Sequence, residues 1–410
     1  MRTTHRELRF YFHRSSFKQP VMLFFRPLPW DYGVRNLFRR ASRSALTFLG
    51  LSIVVLLVLT VVSFVRGLEA SLQVSGDSQV VLIHSLGAAE NLENATVPGS
   101  TPGLLAASLD GIVSRAGQKY VSPELYLGAQ ITTPGSADAA MGLVRGVSLA
   151  APLVRRQFQL LDGQWPARGE VLAGRLAAAK LGRTAADIAT GSTIEFEGKT
   201  WRVSGHFAAG GSALESEIWC LVDELQGVLK RQDLSLVAIT VINDSVIGDV
   251  QEFCKERIDL EWEATRESAY YASLQKHYGP VRMVAWLIVW LMAGAGVFAG
   301  MNTMYGAVLG RVRELAMLQT VGFSRRAILL SILQEGLLLA MAASLCSTGL
   351  AVSVLHGFAV RFTMGAFTLK ADSLTVVVGL LIGIMIGVLG SLPPALRALR
   401  LPVVDGLKAV

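Results

Sequence analysis

The stretch Gly191-Ser-Thr-Ile-Glu-Phe-Glu-Gly198-Lys199-Thr200 ends like a phosphate-binding loop. Such a loop needs glycine where Thr193 stands. It must also leave a strand and open a helix, so that backbone N–H groups meet the phosphates. Here Glu197-Gly198-Lys199 reads as a hairpin turn between two strands, Thr193–Phe196 and Trp201–Phe207. The six histidines have no His-x₃-His spacing and no Cys-x₂-Cys pair accompanies them, so no zinc site is indicated. No Gly-x-Ser-x-Gly elbow occurs. The expectation is therefore a chain with no catalytic residue, no metal and no bound cofactor. Many carboxylates lie in 66–282, where a solvated acidic surface explains them. Glu335 differs, because it interrupts a long apolar run about 13 Å from its end. A carboxylate there is costly and a functional candidate. Proton coupling would need a second acid, and the other apolar runs hold none. A structural hydrogen bond to a neighbouring helix or to a second copy is the expected role.

The elements that position these residues follow from composition. The chain of 410 residues is 52% hydrophobic and 17% charged, against about 25% charged in soluble proteins. That excludes a disordered chain and argues against a cytosolic enzyme. Three cysteines cannot build a disulfide scaffold. A membrane helix needs about 20 mostly apolar residues. Ala45–Val65, Met283–Leu309, Ala327–Val360 and Ser373–Leu396 meet that, the last ending at Pro393-Pro394. Segments 1–44, 311–326 and 397–410 together hold 17 Lys/Arg against 4 Asp/Glu, whereas 66–282 holds 19 against 25. Basic flanks stay in the cytoplasm. Both termini are thus expected inside, with 66–282 outside. The net charge of +7 is a topology signal, and no nucleic-acid partner is expected.

The reading divides the chain into a basic segment with an interfacial helix (1–43), spans at 44–66, 281–310, 327–360 and 373–396, and an outer domain at 67–280. An inner loop (311–326), a short outer loop (361–372) and a cytoplasmic tail (397–410) complete it. The first apolar run starts too late and is too long for a cleaved signal, so it is expected to remain as an anchor. Tyr11–Phe25 is read as lying along the inner face of the membrane or as a basic tail. In Trp30–Ser44, Trp30, Val34, Leu37 and Phe38 share a helical face. Arg35, Arg39, Arg40 and Arg43 surround it, which suits an elbow helix against lipid phosphates.

In the outer domain, Val80–His84, Tyr120–Ile131, Leu236–Ile242 and Leu260–Thr265 read as strands. Pro123 and Gly128 interrupt the second. Leu104–Arg115 and Val246–Ile258 read as helices. Two strand–helix–strand units suggest a split α/β sandwich of the ferredoxin-like kind. Between them a β-rich insert (140–228) is expected, with strands Gly142–Val147, Gly191–Phe196, Thr200–Phe207 and Glu217–Val222 and a small helix at Gly169–Leu181. Cys220 and Cys254 lie where a disulfide is chemically allowed, but two separate buried thiols are the expectation. Cys346 is expected to pack against lipid or a helix.

Asn302–Glu335 carries the inner loop. Glu314–Val321 is predicted as a short amphipathic helix with Leu315, Leu318 and Val321 on one side. Gly322 is its left-handed cap, and Ser324 caps the next span. An apolar face turned to water there is a docking surface rather than a connecting turn.

With these pieces, the chain resembles MacB/FtsX-type permeases of ABC transporters, the type VII class. The resemblance rests on Asn36–Val55 (NLFRRASRSALTFLGLSIVV), on Val312–Arg326 (VRELAMLQTVGFSRR) and on Pro394–Leu401 (PALRALRL). In the outer domain it rests on Arg145-Gly146-Val147, Leu161–Trp165, Gly169-Glu170-Val171 and Glu267–Tyr271. It implies an α-helical membrane protein with four transmembrane helices and a large α+β extracytoplasmic domain between helices 1 and 2. Parts 67–139 and 229–280 would be porter-like and the insert Sabre-like. It further implies a bacterial inner-membrane subunit without catalytic activity, paired with a second permease copy or close paralogue. ATP would be used by a separate ABC ATPase docked on the helix of Arg313, Glu314, Leu315, Met317, Leu318, Val321 and Gly322. A periplasmic adaptor and an outer-membrane duct are further partners of such systems, besides membrane lipids. Export or extraction of a lipid-like, peptide or other small amphiphilic cargo is the favoured function. FtsX-type signalling to a cell-wall hydrolase is the alternative.

Overall fold

The structure, a computed structural model, describes residues 34, 37–39, 41–134, 138–362 and 365–400. Tyr11–Phe25, Trp30, Arg35, Arg40 and the tail beyond Arg400 lie outside the described residues. Four helices are long and apolar enough to cross a membrane: α1 (Ala41–Ser75), α6 (Gly279–Leu309), α8 (Arg325–Leu355) and α9 (Ser373–Arg400). An α+β domain stands between the first and second of them. Two bounds differ from expectation. Helix α1 runs on past the predicted span to Ser75. Helix α9 continues through Pro393 and Pro394 to Arg400. Membrane-type helices tolerate proline, and the buried Ala395 and Leu399 anchor these last turns.

The chain divides into two compact units. In the unit of 52–293 and 344–382, ten strands form one sheet. They are β1 (Val80–Ser85), β2 (Val121–Ile131), β3 (Ala140–Val147), β4 (Gln159–Gly163), β5 (Glu170–Gly174), β6 (Thr193–Phe196), β7 (Lys199–Ala208), β8 (Ile218–Leu221), β9 (Leu236–Thr240) and β10 (Trp262–Arg266). The spatial order is β10-β1-β9-β2-β3-β8-β5-β7-β4, with β6 beside β7. The first four, all antiparallel, have the 4-1-3-2 order of a split β-α-β sandwich. Helices α2 (Thr101–Ser108) and α4 (Asp244–Glu256) supply its crossovers, and α3 (Val222–Leu229) follows β8 in the insert. The apolar run of β1 is buried on both faces. Val81 and Ile83 join the core under α2 and α4, whereas Val80 and Leu82 face Tyr126 and Val154.

Strand β2 joins the sandwich to the insert. Val121–Glu124 pair with β9, and Leu125–Ile131 pair with β3. It is one continuous strand, not the interrupted one expected. Pro123 is tolerated because β2 has a neighbour on only one side there. Gly169–Leu181, expected as a helix, is strand β5 followed by one turn at Ala177–Leu181. Leu104–Arg115 contains only the end of α2 and a two-residue strand. The turn at Glu197-Gly198 joins β6 to β7 as an antiparallel hairpin, which removes the phosphate-loop geometry. Cys220 and Cys254 are buried and free. Burial pushes the Cys220 thiol far up and that of Cys254 up to about 11, so both are unreactive. Cys346 is free and exposed.

Residues predicted as the end of the third span and as a short loop form a hairpin, β11 (Ala359–Phe362) and β12 (Gly365–Thr368). It lies tight on α1, since a Cβ at Gly67 would stand 2.4 Å from the Thr368 carbonyl oxygen. Asp372 then caps α9, accepting from Thr375 N at 3.1 Å, and takes Arg66 Nη2 at 2.6 Å. Burial raises the Asp372 carboxyl, but the bonds from Arg66 and Thr375 outweigh it and bring it to about 2. The folded value lies below the unfolded value of about 3.9. The stabilisation is therefore complete above about pH 4 and is lost as pH falls toward about 2. Asp372→Ala is expected to cost about 1 kcal/mol by loss of the cap. It should also flatten the acid limb of thermal unfolding, measured by calorimetry between pH 2 and 5.

In the other unit, small residues let helices approach. A Cβ on Gly387 would come within 2.9 Å of the Ala340 Cβ, and Gly390 lies against the backbone of Gly300.

Candidate functional site

Two constellations stand out. The first surrounds helix α7 (Val312–Thr320). Its end is a Schellman turn: Phe323 N donates to Leu318 O at 3.1 Å, Gly322 N donates to Gln319 O at 3.1 Å, and Gly322 has φ +105°. Ser324 Oγ accepts from Ala327 N at 3.2 Å and opens α8. The helix is thus stopped at one end and followed at once by a capped one. Leu315 is 7% exposed and packs with Met304, Val308, Ile328 and Leu399, and Leu318 rests on the same cluster. This corrects the expected docking face. The inward side of α7 closes its own unit, and Glu314 is half-buried. The outward stripe is Arg313, Met317, Thr320 and Val321, the last 73% exposed.

Glu335 makes the expected structural hydrogen bond to a neighbouring helix. Arg311, at the N-cap of α7, donates Nη2 to Glu335 Oε1 at 2.7 Å and Nη1 to Oε2 at 3.0 Å. Both are nearly buried, at 8% and 7%. The partner is thus an arginine of the same chain in a two-pronged ion pair, which fixes the base of α7 to α8. Sequence reasoning singled out Glu335 but not Arg311 as its partner. Of the elbow arginines, Arg39 and Arg43 are exposed. Arg43 Nη1 donates to Gly306 O at 3.0 Å, so it grips α6 as well as facing outward.

The second constellation is a buried ion cluster in the outer domain. Arg145 on β3 donates Nε to Glu217 Oε2 at 2.6 Å, Nη2 to Glu217 Oε1 at 2.5 Å and Nη1 to Glu124 Oε2 at 2.5 Å. Its guanidinium lies 4.1 Å from the centre of the Tyr126 ring, and Nη1 also donates to the Tyr126 hydroxyl. Arg155 donates Nη2 to Glu124 Oε2 at 2.9 Å and Nη1 to Glu267 Oε1. Trp219 Nε1 donates to Glu217 at 2.9 Å. All five charged groups are at most 5% exposed. Burial would raise Glu124, but Arg155 and Arg145 outweigh it and hold its carboxyl below the usual range. Glu267, the first residue of α5 (Glu267–His277), also accepts from Asp77 N at 3.1 Å, just beyond the end of α1. Beside it, Gly76 lies so close to α5 that a Cβ would stand 2.7 Å from Ser268 Cα. One cluster therefore pins the sandwich, the insert and the top of α1 together.

Of the motif residues, the structure brings Arg145 and Glu267 into this cluster and Tyr270 and Tyr271 beside it. Leu161–Trp165 and Gly169–Val171 serve the insert: Trp165 meets Phe158 at 5.8 Å, and Gly169 N donates to Glu224. Glu124, Arg155 and Glu217 were missed by sequence reasoning. Their available signal was a charge inside strand-like or apolar stretches, where charges are rare unless paired. Among the described residues no group of His, Cys, Asp or Glu could hold a metal.

The model of the MacB-like periplasmic core domain matches residues 44–252, and that of the FtsX-like permease C-terminal matches 286–403. The chain belongs to this family, the MacB/FtsX-type permeases, which is the type VII class of ABC-transporter permeases and implies an ABC ATPase partner. No curated protein matches it. Among solved structures it is similar to the periplasmic region of MacB from Actinobacillus actinomycetemcomitans, at 11% identity and a TM-score of 0.37, covering 49% of this chain and 94% of that one. It is also similar to the extracellular domain of the noncanonic ABC-type transporter YknZ from Gram-positive bacteria, at 14% identity and a TM-score of 0.35, covering 45% and 99%. A domain of a putative permease protein from Porphyromonas gingivalis matches at 10% identity and a TM-score of 0.32, covering 46% and 90%.

Proposed function

We propose that the chain is the membrane subunit through which a separate cytoplasmic ATPase moves an outer domain, so exporting or extracting an amphiphilic cargo from the bacterial inner membrane. A second permease copy or paralogue completes the pair, and the chain itself binds no nucleotide. The basic flanks support cytoplasmic termini, with α7 on the same side. The observation that carries the reading is α7 itself. It is capped, held by Arg311–Glu335, packed inward through Leu315, and left with an outward stripe of Arg313, Met317 and Val321. A rigid nub with an apolar outward stripe suits docking by a partner that pushes. In the other unit, the Glu267–Asp77 bond and the close approach at Gly76 give α1 a stiff hold on the outer domain. Motion would pass through a bistable packed element rather than through a polar channel.

The test is the double variant Met317→Asp/Val321→Asp, co-expressed with the ABC ATPase whose gene lies nearest to it. The ATPase is expected to be lost from the purified complex while the melting temperature of the permease stays within about 2 °C, as for exposed substitutions. Full retention of the ATPase would remove the reading. Leu318→Asp is a poor substitute, because Leu318 packs on the protein's own core.

A further inference from the structure

Beside the ion cluster lies a cavity of about 320 Å³, within the range of small-molecule sites. Its walls come from elements far apart in sequence: Leu72 near the end of α1, Tyr126 on β2, Tyr270 and Tyr271 on α5, and Phe367 on β12. Apolar and aromatic surface therefore predominates. The charges are one-sided. Arg145, the basic residue among the described lining residues, is already taken by Glu217 and Glu124. Glu93 lines the same space from the turn at Leu92–Asn94. Its carboxyl is pushed up by burial. Glu90, mostly exposed, stands at the same wall with His277 3.7 Å away. Where a cation is present, the cavity wall already places it over a ring, as Arg145 does over Tyr126.

We propose that this cavity binds an amphiphilic organic cation, its apolar body against Leu72, Tyr271 and Phe367 and its charge beside Glu93 and the tyrosine faces. An aromatic wall attracts a cation through the ring quadrupole, and a carboxylate half-removed from water gains from a positive partner. An anionic amphiphile of the same shape would meet Glu93 and Glu90 with repulsion. The proposal rests on the reading of the chain as a permease for amphiphiles, and it names the charge class that this site selects.

The full-length chain in neutral detergent is dialysed to equilibrium against tetraphenylphosphonium, with protein-free micelles as background. Tetraphenylborate, matched in shape and opposite in charge, is run in parallel. The expected result is saturable binding of one phosphonium per chain and at least tenfold weaker binding of the borate. Glu93→Gln, checked for an unchanged melting temperature, should weaken phosphonium binding about tenfold. Equal binding of the two ions, no saturable binding, or an unchanged affinity in a folded Glu93→Gln protein would each overturn the assignment. The comparison of the two ions needs no variant and stands even if Glu93→Gln fails to fold. ATPase co-purification without phosphonium binding removes this site alone, and binding without ATPase association removes the coupling reading alone.

Discussion

Arg145→Met is expected to unfold the outer domain, or to lower its stability by about 3–5 kcal/mol, the cost of breaking a buried ion pair. The side chain is 1% exposed, and its loss leaves Glu217 without both of its guanidinium bonds and Glu124 with Arg155 and the Tyr126 hydroxyl. The cluster already holds three carboxylates against two guanidinium groups, so removing one cation leaves an uncompensated charge away from water. Arg145→Lys keeps the charge but loses the planar fork that serves Glu217 and Glu124 at once. It should fall between the wild type and Arg145→Met. Limited proteolysis of the purified chain measures this. The methionine variant should be cut within 67–280 at a temperature at which the wild type resists, while the membrane helices stay protected. A methionine variant as resistant as the wild type would mean that the cluster contributes nothing to holding the domain.

Glu335→Ala is the second large effect. Arg311 would remain 8% exposed with no carboxylate, and Arg311 begins the small helix that supports the proposed docking stripe. The expected loss is again about 3–5 kcal/mol. It should appear as new proteolytic cleavage within 311–326 and as weaker ATPase association. Arg311→Met/Glu335→Met removes both charges together and should recover most of the lost stability, since hydrophobic replacement of a whole buried pair is often neutral. If the double variant is as unstable as Glu335→Ala, the pair is not what supports α7.

The membrane helices were legible because their signal is local and long: Ala45–Val65 has no charge at all, and no tertiary contact is needed to read it. Strands β1, β9 and β10 were legible for the related reason that short apolar runs flanked by turn residues have few alternatives. The cap at Gly322 was legible because a left-handed backbone position favours glycine. What failed depended on distance along the chain. Gly169–Leu181 looked helical from its alanines, but Val171 and Leu172 are fixed by pairing with β7, some thirty residues on. Leu318 looked like part of a docking surface because an amphipathic pattern shows that a face is buried without showing against what. Glu124, Arg155 and Glu217 carried no motif of their own. Only the folded sheet brings Arg155 within reach of Glu267, 112 residues away.

The changeover of β2 from β9 to β3 between Glu124 and Leu125 makes the insert a poor module. Cutting out 140–228 and rejoining the ends would strip Leu125–Ile131 of their ladder and leave a bare hydrogen-bonding edge seven residues long, open to pairing with other chains. A shortened permease of this lineage would have to lose the second half of that strand as well, so the two lobes can be inherited, exchanged or deleted only together.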